Sequence, residues 1–228
     1  MKIQKILKRL LQLHPKSVDL SLDRIKRLLK NLDHPEKKLT NVIQVVGTNG
    51  KHSCCSTLRE IFETAGYTVN LNISPSLRKF NERYYFLGKH ISDDRLHDLL
   101  IEVEKINRGQ NITFHEFICA CFFLEASRNK ADINILEAGL FFRLDASNVL
   151  NDNIASIVMP IGIDHKDFLK KGTIDEIVFE KCSHLLENSM IVVSEQKTDV
   201  LKKIEKNIKE NSSKKIIYGK DYNYKKNS

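Results

Sequence analysis

The sequence predicts an α/β domain, a mostly parallel β-sheet flanked on both faces by helices. Two observations predict it. Short apolar, β-branched runs alternate along the chain with longer segments of helical periodicity, the pattern of parallel strands joined by crossover helices. The run Val42–Val46 also passes through a glycine-bearing loop directly into a helix, the strand–loop–helix order found in such sheets.

The elements follow in order. Ile3 to Leu13 places Ile3, Ile6, Leu7, Leu10, Leu11 and Leu13 mostly on one helical stripe. This basic, apolar start could suggest a targeting segment. Charges interrupt the apolar stretch, however, and no small-residue cleavage site follows, so a surface helix is expected. Ser21 is placed to cap a second helix carrying Ile25, Leu28 and Leu29. Residues 1–40 thus read as a helical segment packed on the domain, and residues 41–220 as the domain itself.

Within the domain, the strand Val42–Val46 leads to a helix from Lys51 to about Ala65, stopped by Gly66, and to a strand over Thr68–Ile73. Tyr84–Phe86 and Lys89–Ile91 read as a hairpin around Gly88. Ser92 caps a helix through about Ile106, with Asp93 and Asp94 well placed in its first turn. Thr113-Phe-His-Glu116 is a capping box opening an apolar helix to about Ala126. Strands at Ile133–Leu136, Ala155–Met159, Met190–Val193 and Lys215–Tyr218 then alternate with helices at Thr173–His184 and Asp199–Lys209. Residues 221–228 read as a frayed basic tail.

Composition narrows the function classes. The 228 residues are 41% hydrophobic and 29% charged, values that allow a packed core. No run approaches the roughly 18 apolar residues of a membrane span, so no membrane partner is expected. The five cysteines (Cys54, Cys55, Cys119, Cys121 and Cys182) are odd in number and contain no Cys-x-x-Cys pair, which fits neither a disulfide framework nor a zinc site and points to a reducing cytoplasm. The net charge of +8 calls for an anionic partner. Much of the excess lies in a Lys- and Asn-rich stretch after Lys197, and aromatics are only 7%, too few for the stacking platforms of single-strand binders. Phosphate-bearing small molecules explain the charge as well, as does a coding bias toward Lys, Asn and Ile. A basic nucleic-acid-binding module is the lesser reading.

Gly47-Thr-Asn-Gly-Lys-His-Ser53 carries the chemistry. After a strand and before a helix, the backbone N–H groups of Gly47, Thr48, Asn49 and Gly50 can turn inward onto phosphate oxygens. Lys51 supplies a point charge for the β- and γ-phosphates, and Ser53 offers a hydroxyl to Mg²⁺. The expected fold is therefore P-loop NTPase-like, and the expected ligand is ATP. The spacing differs from the common Gly-x-x-x-x-Gly-Lys-Ser/Thr: two residues separate the glycines, and one separates Lys51 from Ser53.

This loop resembles that of the Mur-ligase superfamily and, within it, the folylpolyglutamate synthase/dihydrofolate synthase family, whose loop reads Gly-Thr-Asn-Gly-Lys-Gly-Ser. The resemblance runs from about Val42 to Leu186. Ser74-Pro-Ser-Leu77 and Phe80-Asn-Glu-Arg83 resemble the family's Ser-Pro-His-Leu and Phe-Asn-Glu-Arg. Ile91-Ser-Asp also fits, and Thr113-Phe-His-Glu116 falls where the family has Thr-x-Phe-Glu. Leu136-Glu-Ala-Gly-Leu-Phe-Phe-Arg-Leu-Asp-Ala-Ser-Asn148 resembles Leu-Glu-Val-Gly-Leu-Gly-Gly-Arg-Leu-Asp-Ala-Thr-Asn. Ile161-Gly-Ile-Asp-His165 and Glu180-Lys181 match Ile-Gly-Leu-Asp-His and Glu-Lys-Ala-Gly.

The resemblance implies a Mur-ligase central domain that activates a folate or dihydropteroate carboxylate with ATP and Mg²⁺ and joins L-glutamate to it. It implies metal ligation by Ser53, Ser74, Glu137 and His165, and catalytic roles for Lys51, His165 and Lys181. Lys181 corresponds to a lysine that many members carry as a carbamate. Arg83, Arg143 and Asp145 would contact substrate or order the nucleotide site, although Arg143 and Asp145 could instead pair with each other. Three substitutions depart from the pattern. His52 replaces a glycine and would crowd the phosphates, Phe141-Phe142 replace two glycines beside Glu137, and Ser76 replaces a histidine. The family also has a second domain with an Asp-Gly-Ala-His-Asn-Pro-like motif. The sequence lacks that motif, so the C-terminal ligase domain is expected to be absent, with a separately encoded C-terminal half as a candidate partner. A nucleotide-binding remnant without catalysis is the alternative.

Overall fold

The computed structural model describes residues 2–16 and 18–224. Its strands are β1 (Val42–Val46), β2 (Val69–Asn72), β3 (Tyr84–Phe86), β4 (Lys89–His90), β5 (Ile133–Glu137), β6 (Ala155–Val158), β7 (Met190–Val193) and β8 (Lys214–Ile217). The helices are α1 (Lys2–Leu10), α2 (Asp23–Asn31), α3 (Lys51–Thr64), α4 (Asp93–Asn107), α5 (Phe114–Arg128), α6 (Ile174–Cys182) and α7 (Thr198–Ile208). Short 3₁₀ turns occupy Pro35–Lys38, Phe80–Arg83 and Lys166–Phe168.

Among the described residues the strands form one eight-stranded sheet, in the order β4-β3-β2-β5-β1-β6-β7-β8. The run from β2 to β8 is parallel, and β3 and β4 add an antiparallel edge. β1 is buried along its whole length because both faces of the sheet are covered. Its alternate residues serve different layers. Ile43 and Val45 pack with Leu71, Ile135 and α3, while Val42 and Val46 enter the cores under α5 and α6–α7. α5 is apolar on nearly every side and correspondingly buried, lying between the sheet and the helices α1, α2 and α4.

A buried polar seam crosses the α5 face of the sheet. Asn153 Nδ2 donates to Gln44 Oε1 and to Ser156 Oγ (2.8 Å each), and Gln44 Nε2 donates to the Ser147 carbonyl (2.9 Å). The seam keeps these buried groups paired.

The caps agree with the sequence at Ser92, whose hydroxyl accepts from Arg95 N (3.2 Å), and at Thr113, which forms the full box with Glu116. Ser21 sits one residue before the N-cap position, and its hydroxyl accepts from Asp23 N (3.1 Å). Asp221 to Tyr224 fold back onto the sheet edge, with Tyr222 hydroxyl donating to the Val193 carbonyl (3.1 Å). The remaining tail, 225–228, lies outside the described residues.

Candidate functional site

β1 delivers the chain into Gly47 at the C-terminal edge of the sheet. Gly47 has φ +147°, and a Cβ there would stand 2.7 Å from Met159 Cβ, so the position admits only glycine. Gly50, at φ +79°, turns the loop into α3. The Thr48 and Asn49 N–H groups donate to the Pro160 carbonyl (3.0 and 3.2 Å), and Thr48 Oγ1 lies 3.2 Å from Gly162 N, so the segment after β6 anchors the loop. Lys51 curls back, its ammonium donating to the Gly47 carbonyl at 3.0 Å. α3 carries no acidic residue in its first turn and has no side-chain cap, which leaves its positive end open to an anion. Ser53 is exposed on that turn.

Glu137 ends β5 beside this loop because β5 pairs with β1, Val45 opposite Glu137. Its Oε2 accepts from Ser74 N at 2.8 Å. Burial raises its pKa, against that hydrogen bond and the positive charges of Lys51, His52 and Arg83. His52, half-buried in the first turn of α3, is thus a neighbour of Glu137. His165 is exposed with φ +52°, its Nε2 lying 3.2 Å from Asp164 Oδ2. Among the described residues no group of three or more His, Cys, Asp or Glu side chains gathers at metal-binding distance.

One cavity of about 600 Å³ joins these parts. Thr48, Lys51, Ser74, Arg83, Asp145 and His165 all line it. Its far wall is built by Val18–Leu20 and by the start of α5, which Arg24 locks together through a bidentate bond to Glu116 (2.9 Å) and a bond to Asp19 (2.9 Å). The Arg83 guanidinium sits 5.1 Å from the Phe80 ring, and its buried Nε has no hydrogen-bond partner.

Arg143 and Asp145 do not pair with each other. Arg143 grips the Glu180 carboxylate (Nη2 at 2.8 Å) and lies over Phe179, outside the cavity. Asp145 is buried, accepts from Ser147 N (2.9 Å) and Ser147 Oγ (2.6 Å), and faces His115 Nε2 at 3.2 Å. Burial opposes charge on His115, but the neighbouring Cys119 sulfur and Asp145 carboxylate prevail and hold its pKa well above the usual value. Burial also opposes charge on Asp145, and His115 with the Ser147 bonds keeps its pKa low. His115 and the Val18–Leu20 wall were not foreseen as site residues. The capping-box motif pointed to the position of His115, and nothing local marked the wall.

Lys181 is 2% exposed, and its ammonium donates to the Gly47 and Leu140 carbonyls at 3.0 Å each. Cys182, beside it in sequence, is buried in the α6–α7 core with its thiol pushed up to about 12 by burial, as expected of an inert core residue.

Solved structures share this architecture. E. coli FolC in complex with DHPP and ADP superposes with a TM-score of 0.90 over 99% of this chain and 53% of its own, at 28% identity. The Yersinia pestis bifunctional folylpolyglutamate synthase/dihydrofolate synthase complexed with AMPPNP and Mn ion gives 0.84 over 96% and 52%, at 27% identity. Among curated proteins, the dihydrofolate synthase/folylpolyglutamate synthase of Haemophilus influenzae is 36% identical over 80% of this chain, and that of Bacillus subtilis 37% over 80%. The chain belongs to the folylpolyglutamate synthase/dihydrofolate synthase family. It has the Mur-ligase fold of that family's N-terminal domain, and it spans 41% and 44% of the length of those two relatives. No family model matches it.

Within the family frame, Phe141 and Phe142 have an explanation the sequence alone did not offer. Neither has positive φ, so glycine-only dihedrals are not needed there. Phe142 is absorbed into the core under α6 and α7. Phe141 is also buried, and its ring lies 5.5 Å from Lys181 Nζ and 6.3 Å from the His165 ring.

Proposed function

We propose that the chain binds ATP with Mg²⁺ and forms the nucleotide-binding half of a ligase joining L-glutamate to a folate or dihydropteroate carboxylate. The carrying observation is the single cavity that links the phosphate loop to Arg83, Asp145 and His165. In this reading Gly47, Thr48, Asn49, Gly50, Lys51 and Ser53 hold the phosphates. Lys51 leaves the Gly47 carbonyl to meet them, and Arg83, a cation without a carboxylate partner in the structure, receives the acid substrate.

The residues suit a hard divalent cation. Glu137 supplies a buried carboxylate with one oxygen held by Ser74 N, and the hydroxyls of Ser53 and Ser74 have no hydrogen-bond partner among the described residues. His165 would complete the set, and oxygen-rich ligation with one imidazole suits Mg²⁺. The bound cation would neutralise charge on the transferring phosphoryl group.

The chemistry requires a cation cage rather than a protein nucleophile. The substrate carboxylate takes the γ-phosphoryl group of ATP and releases ADP. The glutamate amine then adds to the acyl carbon, and the tetrahedral intermediate expels phosphate, leaving the amide. A cytoplasmic setting belongs to the same proposal and is supported by five free cysteines. No described helix is long and apolar enough to cross a membrane.

A second reading, nucleotide binding without turnover, is favoured by Phe141, whose ring fills space between Lys181 and His165. Phosphate release separates the two. Purified chain with ATP, Mg²⁺, glutamate and dihydropteroate or a reduced folate, alone or with a separately encoded C-terminal half, should release phosphate only when all substrates are present. Substrate-independent or absent release, with ATP binding intact, would support the second reading.

A further inference from the structure

Lys181 is a buried cation that the proposed chemistry leaves unused. Two of its three N–H bonds are directed at the Gly47 and Leu140 carbonyls, 3.0 Å away, and the ammonium lies 5.5 Å from the Phe141 ring, in range of a cation–π contact. Its surroundings are as rigid as its bonds. The Glu180 carbonyl accepts from Phe142 N (3.1 Å) and Arg143 N (2.8 Å), while the Glu180 side chain holds the Arg143 guanidinium. The turn bearing Leu140 and Phe141 is thereby tied to the end of α6, on which Lys181 sits.

This environment fits an ammonium and does not fit a carbamate. Joining CO₂ to the neutral amine releases a proton and replaces the cation with an anion. That anion would stand against two carbonyl oxygens and the negative face of the Phe141 ring, with 2% of the residue open to solvent. The Gly47 carbonyl also accepts from Lys51 (3.0 Å), so two lysines share one oxygen at the mouth of the phosphate loop.

We propose that Lys181 stays a free ammonium and acts as a positioning residue. It pins the Gly47 carbonyl to the Leu140 turn, so that Lys51 can leave for the phosphates without stranding a buried acceptor. The nucleotide part of this inference rests on the phosphate-binding reading of the loop. Burial, and secondarily the charge of Lys51, bring the Lys181 pKa down to about 8, which still leaves it mostly protonated at neutral pH.

Two measurements test it. Carbon-13 NMR of the wild-type chain in labelled bicarbonate should show no carbamate signal that disappears in Lys181→Met; such a signal overturns the proposal. Binding of a fluorescent ADP analogue should weaken by about tenfold in Lys181→Met, the scale of one charged hydrogen bond. It should recover in part in Lys181→Arg and not respond to added bicarbonate. A lowered melting temperature with unchanged nucleotide affinity would overturn the positioning role. If the wild type binds no nucleotide, the phosphate-loop reading fails instead, and the NMR result alone decides whether Lys181 is free.

Discussion

Gly47→Ala tests the loop geometry through stability and function at once. At φ +147° an alanine leaves its allowed regions, a strain of about 1–3 kcal/mol. Its Cβ would also stand 2.7 Å from Met159 Cβ and 2.9 Å from the Met159 carbonyl oxygen, which belongs to the backbone just beyond β6 and cannot swing aside. Overpacking of this kind adds about 1–3 kcal/mol. The total, about 2–5 kcal/mol, is a large share of the roughly 5–15 kcal/mol that holds a domain folded. Gly50→Ala provides the contrast. It shares the positive φ, at +79°, but meets only the flexible Met159 Cε at 3.1 Å, so its cost should stay near 1–2 kcal/mol. Denaturant unfolding of both variants, with ATP affinity measured alongside, would resolve the difference. If Gly47→Ala matched the wild type in both stability and affinity, the close approach of the loop to Met159 would be wrong.

Other predictions concern the polar interior and the caps. Asn153→Ala should cost about 1–3 kcal/mol, because Gln44 Oε1 and Ser156 lose a buried partner; a change below 0.5 kcal/mol, on the same approximate scale, would mean the seam is not formed. Thr173→Ala should cost about 0.5–2 kcal/mol through loss of the Glu176 N–H bond, read by the same unfolding curves. The His115–Asp145 pair predicts a pH dependence. The raised pKa of His115 contributes stability fully present below about pH 6.5 and lost as pH rises through the folded value. The lowered pKa of Asp145 contributes stability present above about pH 4 and lost as pH falls through its folded value. The stability difference between wild type and His115→Phe should therefore shrink on the alkaline side; a difference that is flat from acid to alkaline pH would show the pair is not ionised.

The legible features were those written locally. A β-branched run ending in Gly47, and hydroxyl caps at Ser92 and Thr113, declare themselves within a few residues because they satisfy backbone groups that every strand end or helix start exposes. The order of strands was less legible. β1 lies between β5 and β6, and that placement alone brings Glu137 and Pro160 to the phosphate loop from roughly 90 and 110 residues away. Side-chain partners were harder still. Arg143 sits two residues from Asp145 in sequence, yet the turn that buries Asp145 against His115 sends Arg143 to Glu180 on α6. The phenylalanines at 141 and 142 suggested obstruction of glycine-only backbone. In the fold their backbone is ordinary, and their rings fill a core and cover Lys181.

The central claim is that Gly47–Ser53 is a working phosphate site. Isothermal titration of the purified chain with ATP, with and without Mg²⁺, tests it most directly. The account predicts saturable one-site binding that strengthens with Mg²⁺, weakens by at least about tenfold in Lys51→Ala, and loses its Mg²⁺ dependence in Glu137→Gln. Binding that is absent in the wild type, or equal in wild type and Lys51→Ala, would contradict it.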